Sequence, residues 1–304
     1  MHPIGPVLVT GAYGLIGHAA VLELRRAGVP VVASDKLSAP PDDAAFEAEG
    51  LDIHGVEEIA RVLRRHGVRS IVHCAGISGP MLAQGEPHRI FTVNVGGTLD
   101  LLEAARLSGV RRVVVLSSAS AYGRHLETVR EDAPLTADDP YGASKAAGEA
   151  VARGYGGPGG LEIVILRPCW VYGPRRRTPC VILTMLRDAI AGKPTRLPYG
   201  QGGFRQFVHV EDVARAVSAA LSGEAAIGRA FNISDGMRPT FADVAAEVQR
   251  LVPTARIDLG AAPVPDDVDL GPLSIAAARD GLGWRPSISL RRGIAIGLAS
   301  LQSS

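Results

Sequence analysis

The stretch "PVLVTGAYGLIG", residues 6–17, decides the fold. Val7, Leu8 and Val9 make a short apolar run rich in β-branched residues that stops at Gly11. From Leu15 the chain turns to the helical apolar spacing of "LIGHAAVLELRRAG", closed by Gly28. Gly11, Gly14 and Gly17 fall in the turn between strand and helix. Further on come strand "VPVVASD" (29–35), helix "VEEIARVLRRHG" (56–67), strand "VRSIVHCAG" (68–76) and helix "NVGGTLDLLEAARLSG" (94–109). Strand "VRRVVVLSS" (110–118), helix "YGASKAAGEAVARG" (141–154) and strand "LEIVILRP" (161–168) follow. Apolar strands alternating with amphipathic helices predict an α/β fold, a doubly wound parallel sheet covered on both faces.

After Pro168 the pattern loosens into Pro-, Gly- and Arg-rich segments, with clear helices at "CVILTMLRDAIAG" (180–192) and "VEDVARAVSAALSG" (210–223). The expected organisation is a nucleotide-binding domain of 1–168 plus about 207–230. A smaller, discontinuous C-terminal substrate domain is expected from about 169–206 plus 231–304.

A chain of 304 residues carries a substantial core, and 32 basic against 31 acidic residues leave no global field that would favour nucleic acid or an anionic membrane. Cys74, Cys169 and Cys180 have no paired metal-type spacing, and their scarcity fits a reducing compartment. Cys74 and Cys169 read as small core residues. His73, His88 and His209 also lack zinc spacing, so no metal is expected; His209 is read as fixing the "FVHVED" turn. The N-terminus has no basic region followed by an apolar stretch, and no run of eighteen apolar residues occurs. A cytoplasmic protein without a membrane partner is the default expectation.

Glycines 11, 14 and 17 allow a tight turn, let backbone N–H groups approach a pyrophosphate, and bring helix against strand. Asp35 ends the second strand, where a carboxylate accepts hydrogen bonds from a ribose diol and repels a 2′-phosphate. NAD is favoured over NADP, with Lys36 next door softening the preference. Asp52 in "LDIHG" (51–55) reads either as an adenine-side contact or as a helix-entry carboxylate. In "YGASK", Tyr141 and Lys145 lie four residues apart at a helix start, on one face. A phenol with a reference pKa of about 10 works as a base near neutrality only when cations such as an ammonium and an oxidised nicotinamide stabilise its phenolate. It then exchanges the proton of a secondary alcohol while hydride moves.

With those motifs in order, the sequence resembles the extended short-chain dehydrogenase/reductase family, which includes NAD-dependent sugar epimerases and dehydratases. The resemblance rests on "GAYGLIG", "LDIHG", "HCAG", "NVGGTLDLLEAA", "SSASAYG", "YGASK", "LRPCWVYGP", "RQFVHVEDVARA", "FNISDG" and "LGWRP", almost end to end. It implies a Rossmann fold with NAD held by Gly11, Gly14, Leu15, Ile16, Gly17, Asp35, Asp52, Ile53, Ala75, Asn94, Ser117, Tyr141, Lys145 and Pro168. It also implies Ser118 as the hydroxyl that orients the reacting oxygen, Tyr141 as acid/base, Lys145 as its electrostatic partner, and a homodimer through a helical bundle.

Two departures narrow the expected reaction. Family dehydratases carry an Asp-Glu pair after the Ser/Thr; here the places hold Ala119 and Ser120, which cannot protonate a leaving hydroxide, so dehydration is disfavoured. The family's nucleotide-sugar enzymes usually read Asn before "VYGP" and clamp a diphosphate with two arginines. Here the Asn place is Trp170, Arg205 matches the first arginine, and Val264, opening "VPDDV" (264–268), takes the second place. One lost charge-assisted contact costs about 1.5 to 3 kcal/mol. The leading expectation is therefore an NAD-dependent oxidoreductase or epimerase acting on a secondary alcohol or ketone of a carbohydrate-like or hydroxy-acid substrate, anionic ones included. Ser118, Ser120, Trp170, Arg177 and Arg205 would touch that substrate. Arg175–Arg177 read either as solvated loop charges or as an anion site. The alternatives are a nucleotide-sugar epimerase, gripping its diphosphate with Arg205 and that cluster, and a non-catalytic dinucleotide sensor.

Overall fold

A computed structural model describes residues 5–37, 40–41, 44–79, 82–264 and 269–303. In chain order the first half runs β1 (Val7–Thr10), α1 (Leu15–Arg26), β2 (Val31–Asp35), β3 (Glu49–Gly50), α2 (Val56–Arg65), β4 (Ser70–His73), α3 (Pro87–Phe91), α4 (Gly97–Leu107), β5 (Arg112–Leu116), α5 (Pro140–Tyr155) and β6 (Glu162–Pro168). The second runs β7 (Trp170–Tyr172), α6 (Val181–Ile190), β8 (Thr195–Tyr199), β9 (Phe207–His209), α7 (Val210–Ser222), β10 (Ala230–Ile233), α8 (Phe241–Leu251), β11 (Ile257–Ala262), α9 (Ala276–Leu282) and α10 (Leu290–Gln302). Among the described residues no helix is long and apolar enough to cross a membrane.

Seven strands form one sheet in the order β10-β6-β5-β4-β1-β2-β3, every pairing parallel. Alternation within each strand divides the core. Val7, Val9, Val72 and Val114 join Val21, Leu24, Val213 and Val217 of α1 and α7 on one face. Leu8, Ile71, Val113 and Val115 join Ile59, Leu63, Leu101 and Ala152 of α2, α4 and α5 on the other. Each such valine, leucine or isoleucine contributes about 1.5–3 kcal/mol by leaving water, and a shift of register by one residue would exchange the side chains of the two faces and misfit both. The chain leaves β1 in one direction, through β2 and β3, and returns beyond it in the other, from β4 outward. The crevice at the C-terminal ends of β1 and β4 is thus the place for a ligand in such a sheet.

A second apolar cluster lies beyond the sheet, where α6, α8 and α10 pack Met185, Leu186, Phe241, Val244, Val248 and Ile294 together. The parallel pairs β8–β11 and β7–β9 border it. α8 starts on a capping box between Thr240 and Asp243.

The expected division near residue 230 falls at the start of β10. β10 continues the main sheet to Ile233, because Phe231 and Ile233 are the residues that complete the α7-side core. Ala278 of α9 and Trp284 belong to that core as well. The "NVGGTL" helix also starts differently: Thr92–Gly96 form a π-helical turn before α4, and Asn94 sits in it. The "PDDV" part of "VPDDV", residues 265–268, lies outside the described residues, whereas Val264 packs on the second cluster.

Candidate active site

A cavity of about 850 Å³ opens at the C-terminal edge of the sheet and runs on to the second cluster. At its sheet end the first turn of α1 begins at Gly14 with no side-chain cap, leaving backbone N–H groups for a ligand. Two glycines make the turn sterically possible. Gly11 has φ +64°, and a Cβ there would stand 2.8 Å from Ala75 N and Cα. A Cβ on Gly17 would stand 2.1 Å from the Gly11 carbonyl oxygen. Asp35 is anchored at the same end, Oδ2 accepting from Tyr13 N–H (3.0 Å) and Oδ1 from Leu37 N–H (3.2 Å). Each oxygen keeps a lone pair for a diol. Gly11, Gly14, Leu15, Ile16, Gly17, Asp35, Asp52, Ile53, Ala75, Ser117 and Pro168 all line this cavity. An uncapped helix start, a cradle that any side chain would fill, and a carboxylate at the end of β2 fit a dinucleotide.

Asn94 does not line the cavity; Val93 does. The Asn94 amide is spent within the wall: it donates to Ile77 C=O (3.1 Å) and Ser144 Oγ (2.9 Å) and accepts from Ile77 N–H (2.7 Å). It thereby ties the loop after β4 to α5, and the π-turn is what aims it there. Behind it, buried His73 joins Thr10 and Thr98. Thr98 Oγ1 gives its proton to Asn94 C=O, so it accepts from His73 Nε2–H (3.0 Å), and Nδ1 accepts from Thr10 (2.9 Å). Burial first, and then the Lys145 charge, push the His73 pKa down to about 3.

In the middle of the cavity the turn after β5 meets the start of α5. Ser118 caps the short 3₁₀ turn Ala119–Tyr122, its Oγ accepting from Ser120 N–H (3.1 Å) and donating to Ser120 Oγ (3.2 Å). Asp139 caps α5, accepting from Tyr141 N–H and Gly142 N–H at 3.0 Å each. Gly142 lets the two elements touch, since a Cβ there would lie 2.5 Å from Ser120 C=O. Lys145 Nζ donates to Leu116 C=O (2.9 Å) and stands 5.9 Å from the Tyr141 ring centroid. Ser118, Ser120, Tyr141 and Lys145 face one space.

Beneath them lies a buried ionic network that sequence reasoning missed. Ser117 Oγ donates to Glu149 (2.6 Å), which takes Arg167 Nε (2.8 Å) and Nη2 (2.7 Å); Arg167 Nη1 reaches Tyr122 Oη (2.7 Å) and Glu131 C=O (2.9 Å). Glu149 stands one turn beyond Lys145, the only signal the sequence carried for it.

At the far end Trp170, Arg175, Arg176, Arg177, Phe204, Arg205 and Gln206 line the cavity. The indole of Trp170 carries the Arg205 guanidinium at 4.1 Å and that of Arg176 at 4.8 Å. Gln206, also missed, clasps the strand-like segment after residue 269, donating to Gly271 C=O (2.9 Å) and accepting from Leu273 N–H (2.8 Å). Arg175 has φ +69°, unusual for a residue with a side chain.

Cys74 and Cys169 differ from the expectation of plain core residues: at the ends of β4 and β6 they touch the core and also line the cavity. Burial raises both thiol pKa values, that of Cys74 to about 12, so neither is a thiolate. His209 caps α7, its Nδ1 accepting from Glu211 N–H (3.3 Å).

The model of the NAD dependent epimerase/dehydratase family matches residues 7–234. A Mycolicibacterium smegmatis protein, UDP-glucose 4-epimerase, is 32% identical over 311 residues, covering 95% of this chain and 96% of its own. The structure of the Thermus thermophilus UDP-glucose 4-epimerase with NAD superimposes with a TM-score of 0.88 at 30% identity, over 98% of this chain and 99% of that one. MoeE5 in complex with UDP-glucuronic acid and NAD does so with 0.86 at 29%, with the same coverage. Family model, relatives and site agree: the chain belongs to the NAD dependent epimerase/dehydratase family, a group of extended short-chain dehydrogenases/reductases, and is an enzyme that works with NAD.

Proposed function

We propose that the protein is a 4-epimerase of nucleotide-diphosphate sugars. One observation carries this reading: a single cavity joins the glycine cradle, the Ser118–Tyr141–Lys145 group and a wall of arginines around Trp170. A sugar hydroxyl placed at the middle group with the substrate's anionic diphosphate toward the arginines satisfies all three regions. The similarity to UDP-glucose 4-epimerases and to a UDP-glucuronic acid complex supports it over the smaller, unactivated substrate that the Val264 departure suggests.

NAD, held by the glycine cradle, would supply a reversible hydride acceptor. This chain's part is proton handling and orientation. Tyr141 takes the proton of the reacting hydroxyl and gives it back after the sugar has presented its other face. Ser118, its Oγ oriented by the Ser120 amide, donates to the reacting oxygen as carbonyl character develops there. Lys145 is held beside the Tyr141 ring by the Leu116 carbonyl. Ala119 and Ser120 offer no acid for expelling hydroxide, which favours epimerisation over dehydration.

The test is incubation of the NAD-loaded protein with UDP-glucose and, separately, UDP-glucuronate, following both C4 epimers by NMR together with NADH absorbance. Interconversion without net NADH is expected, and Tyr141→Phe should lower turnover about 10²- to 10⁴-fold while NAD stays bound. Steady NADH accumulation would identify a net dehydrogenase instead, and unchanged turnover in Tyr141→Phe would remove the proposed acid/base.

A further inference from the structure

The expected second arginine of a diphosphate clamp is Val264, whose side chain is committed to the apolar cluster beyond the sheet. The cavity wall already holds another cation in reach of the same ligand. Arg176 lines the cavity beside Arg205, and its half-buried guanidinium lies on the indole that Arg205 also covers. Among the described residues its Nη atoms donate only to the Val171 and Pro179 carbonyls, and its Nε is buried without an acceptor.

What distinguishes Arg176 is its company. Among the described residues, three other poorly exposed arginines are matched by carboxylates: Arg112 by Glu162 and Glu224, Arg167 by Glu149, and Arg215 by Asp212. Among the described residues no carboxylate is in ion-pair reach of Arg176. A cation withdrawn from water with only neutral acceptors, beside a second cation, is costly to the empty protein and is relieved when an anion arrives. Burial, and then the Arg205 charge, hold its pKa below the ordinary arginine value. Neither neighbour is placed as well: Arg177 is exposed, where water screens its charge, and Arg175 occupies the left-handed backbone conformation that turns the loop. The indole at 170 provides two flat contacts for guanidinium groups, which an amide side chain could not.

We propose that Arg176 is the second cation gripping the substrate's diphosphate, in place of an arginine at 264, with Trp170 as the plate that positions both it and Arg205. The proposal rests on the nucleotide-sugar reading above.

The experiment is calorimetric titration of the NAD-loaded protein with UDP and with uridine, using wild type, Arg176→Gln, Arg176→Lys and Arg176→Gln/Val264→Arg. UDP affinity should fall about 10- to 100-fold in Arg176→Gln, the loss of one charge-assisted contact. Uridine affinity should stay within about twofold. Arg176→Lys, which keeps the charge but loses the fork and the stack, should lose less, and an arginine restored at 264 should recover most of the UDP binding. Wild type binding UDP with Arg176→Gln binding it equally well would overturn the proposal alone. Equal losses for uridine and UDP, or no recovery from Val264→Arg, would also overturn it, since Arg176 would then only shape the loop. A wild type that fails to bind UDP would overturn the nucleotide-sugar reading and this inference with it.

Discussion

Replacing Glu149 by Gln should damage this protein more than its distance from the substrate suggests. Glu149 and Arg167 are 1% and 2% exposed, so the pair is out of reach of water. Both carboxylate oxygens are engaged by Arg167, and Oε1 also holds the Ser117 hydroxyl. Arg167 cannot swing toward solvent, because Nη1 is tied to Tyr122 and to the Glu131 carbonyl. Tyr122 cannot supply the missing charge, since burial pushes its pKa up to about 12. The variant leaves an uncompensated buried cation, which costs about 3–5 kcal/mol, whereas removing both charges with Glu149→Leu/Arg167→Met should recover most of that. Urea unfolding followed by circular dichroism reads both numbers. Ser117 precedes Ser118 and Glu149 follows Lys145 by one turn, so kcat of the still-folded variant should fall at least about tenfold, a barrier increase of about 1.4 kcal/mol. A stability loss below about 1 kcal/mol, or a double variant no better than the single one, would refute this account of the network.

Gly17→Ala should weaken NAD binding at least about tenfold, because its Cβ would stand 2.1 Å from a backbone carbonyl, while Gly14→Ala, whose nearest atom is at 3.1 Å, should cost far less; fluorescence titration with NADH separates the two. Asp35→Ser should raise NADP binding relative to NAD by about tenfold or more, read from the two dissociation constants, since a carboxylate that would repel a 2′-phosphate is removed beside Lys36. His73 titrates near 6.5 when unfolded and at about 3 when folded, so between those values the unfolded chain binds the extra proton and stability falls as pH falls. From pH 7 to 5 that amounts to about 2 kcal/mol. Asp235, raised to about 6 by burial, acts in the opposite direction, so the measurement is the difference in urea midpoints between wild type and His73→Gln at the two pH values. A variant with the wild-type pH dependence would rule His73 out.

Much of the sheet and its cofactor end was legible because their signals are local. The glycine turn, Asp35, Ser118, Tyr141 and Lys145 each lie within a few residues of a strand or helix terminus, and periodicity places such termini directly. Asn94 and the pair Cys74 and Cys169 were harder to place, since a shift of a few ångströms decides whether a side chain lines a cavity or braces its wall. Gln206 with Gly271 and Leu273, and Arg167 with Tyr122 and Glu131, join positions tens of residues apart, and nothing in their spacing foretells them.

By itself, then, the sequence determined the βα alternation up to β6, the glycine turn after β1 and the candidates Ser118, Tyr141 and Lys145, because all of these follow from short-range sterics and periodicity or from local motifs. Tertiary structure alone decided that the sheet continues to Ile233, that Glu149 and Arg167 support the turn at Ser117 and Ser118, and that Arg176 and Arg205 share the indole of Trp170 in one wall. Burial, charge pairing and stacking belong to the packed molecule. They depend on which distant segments the sheet and the second apolar cluster bring together.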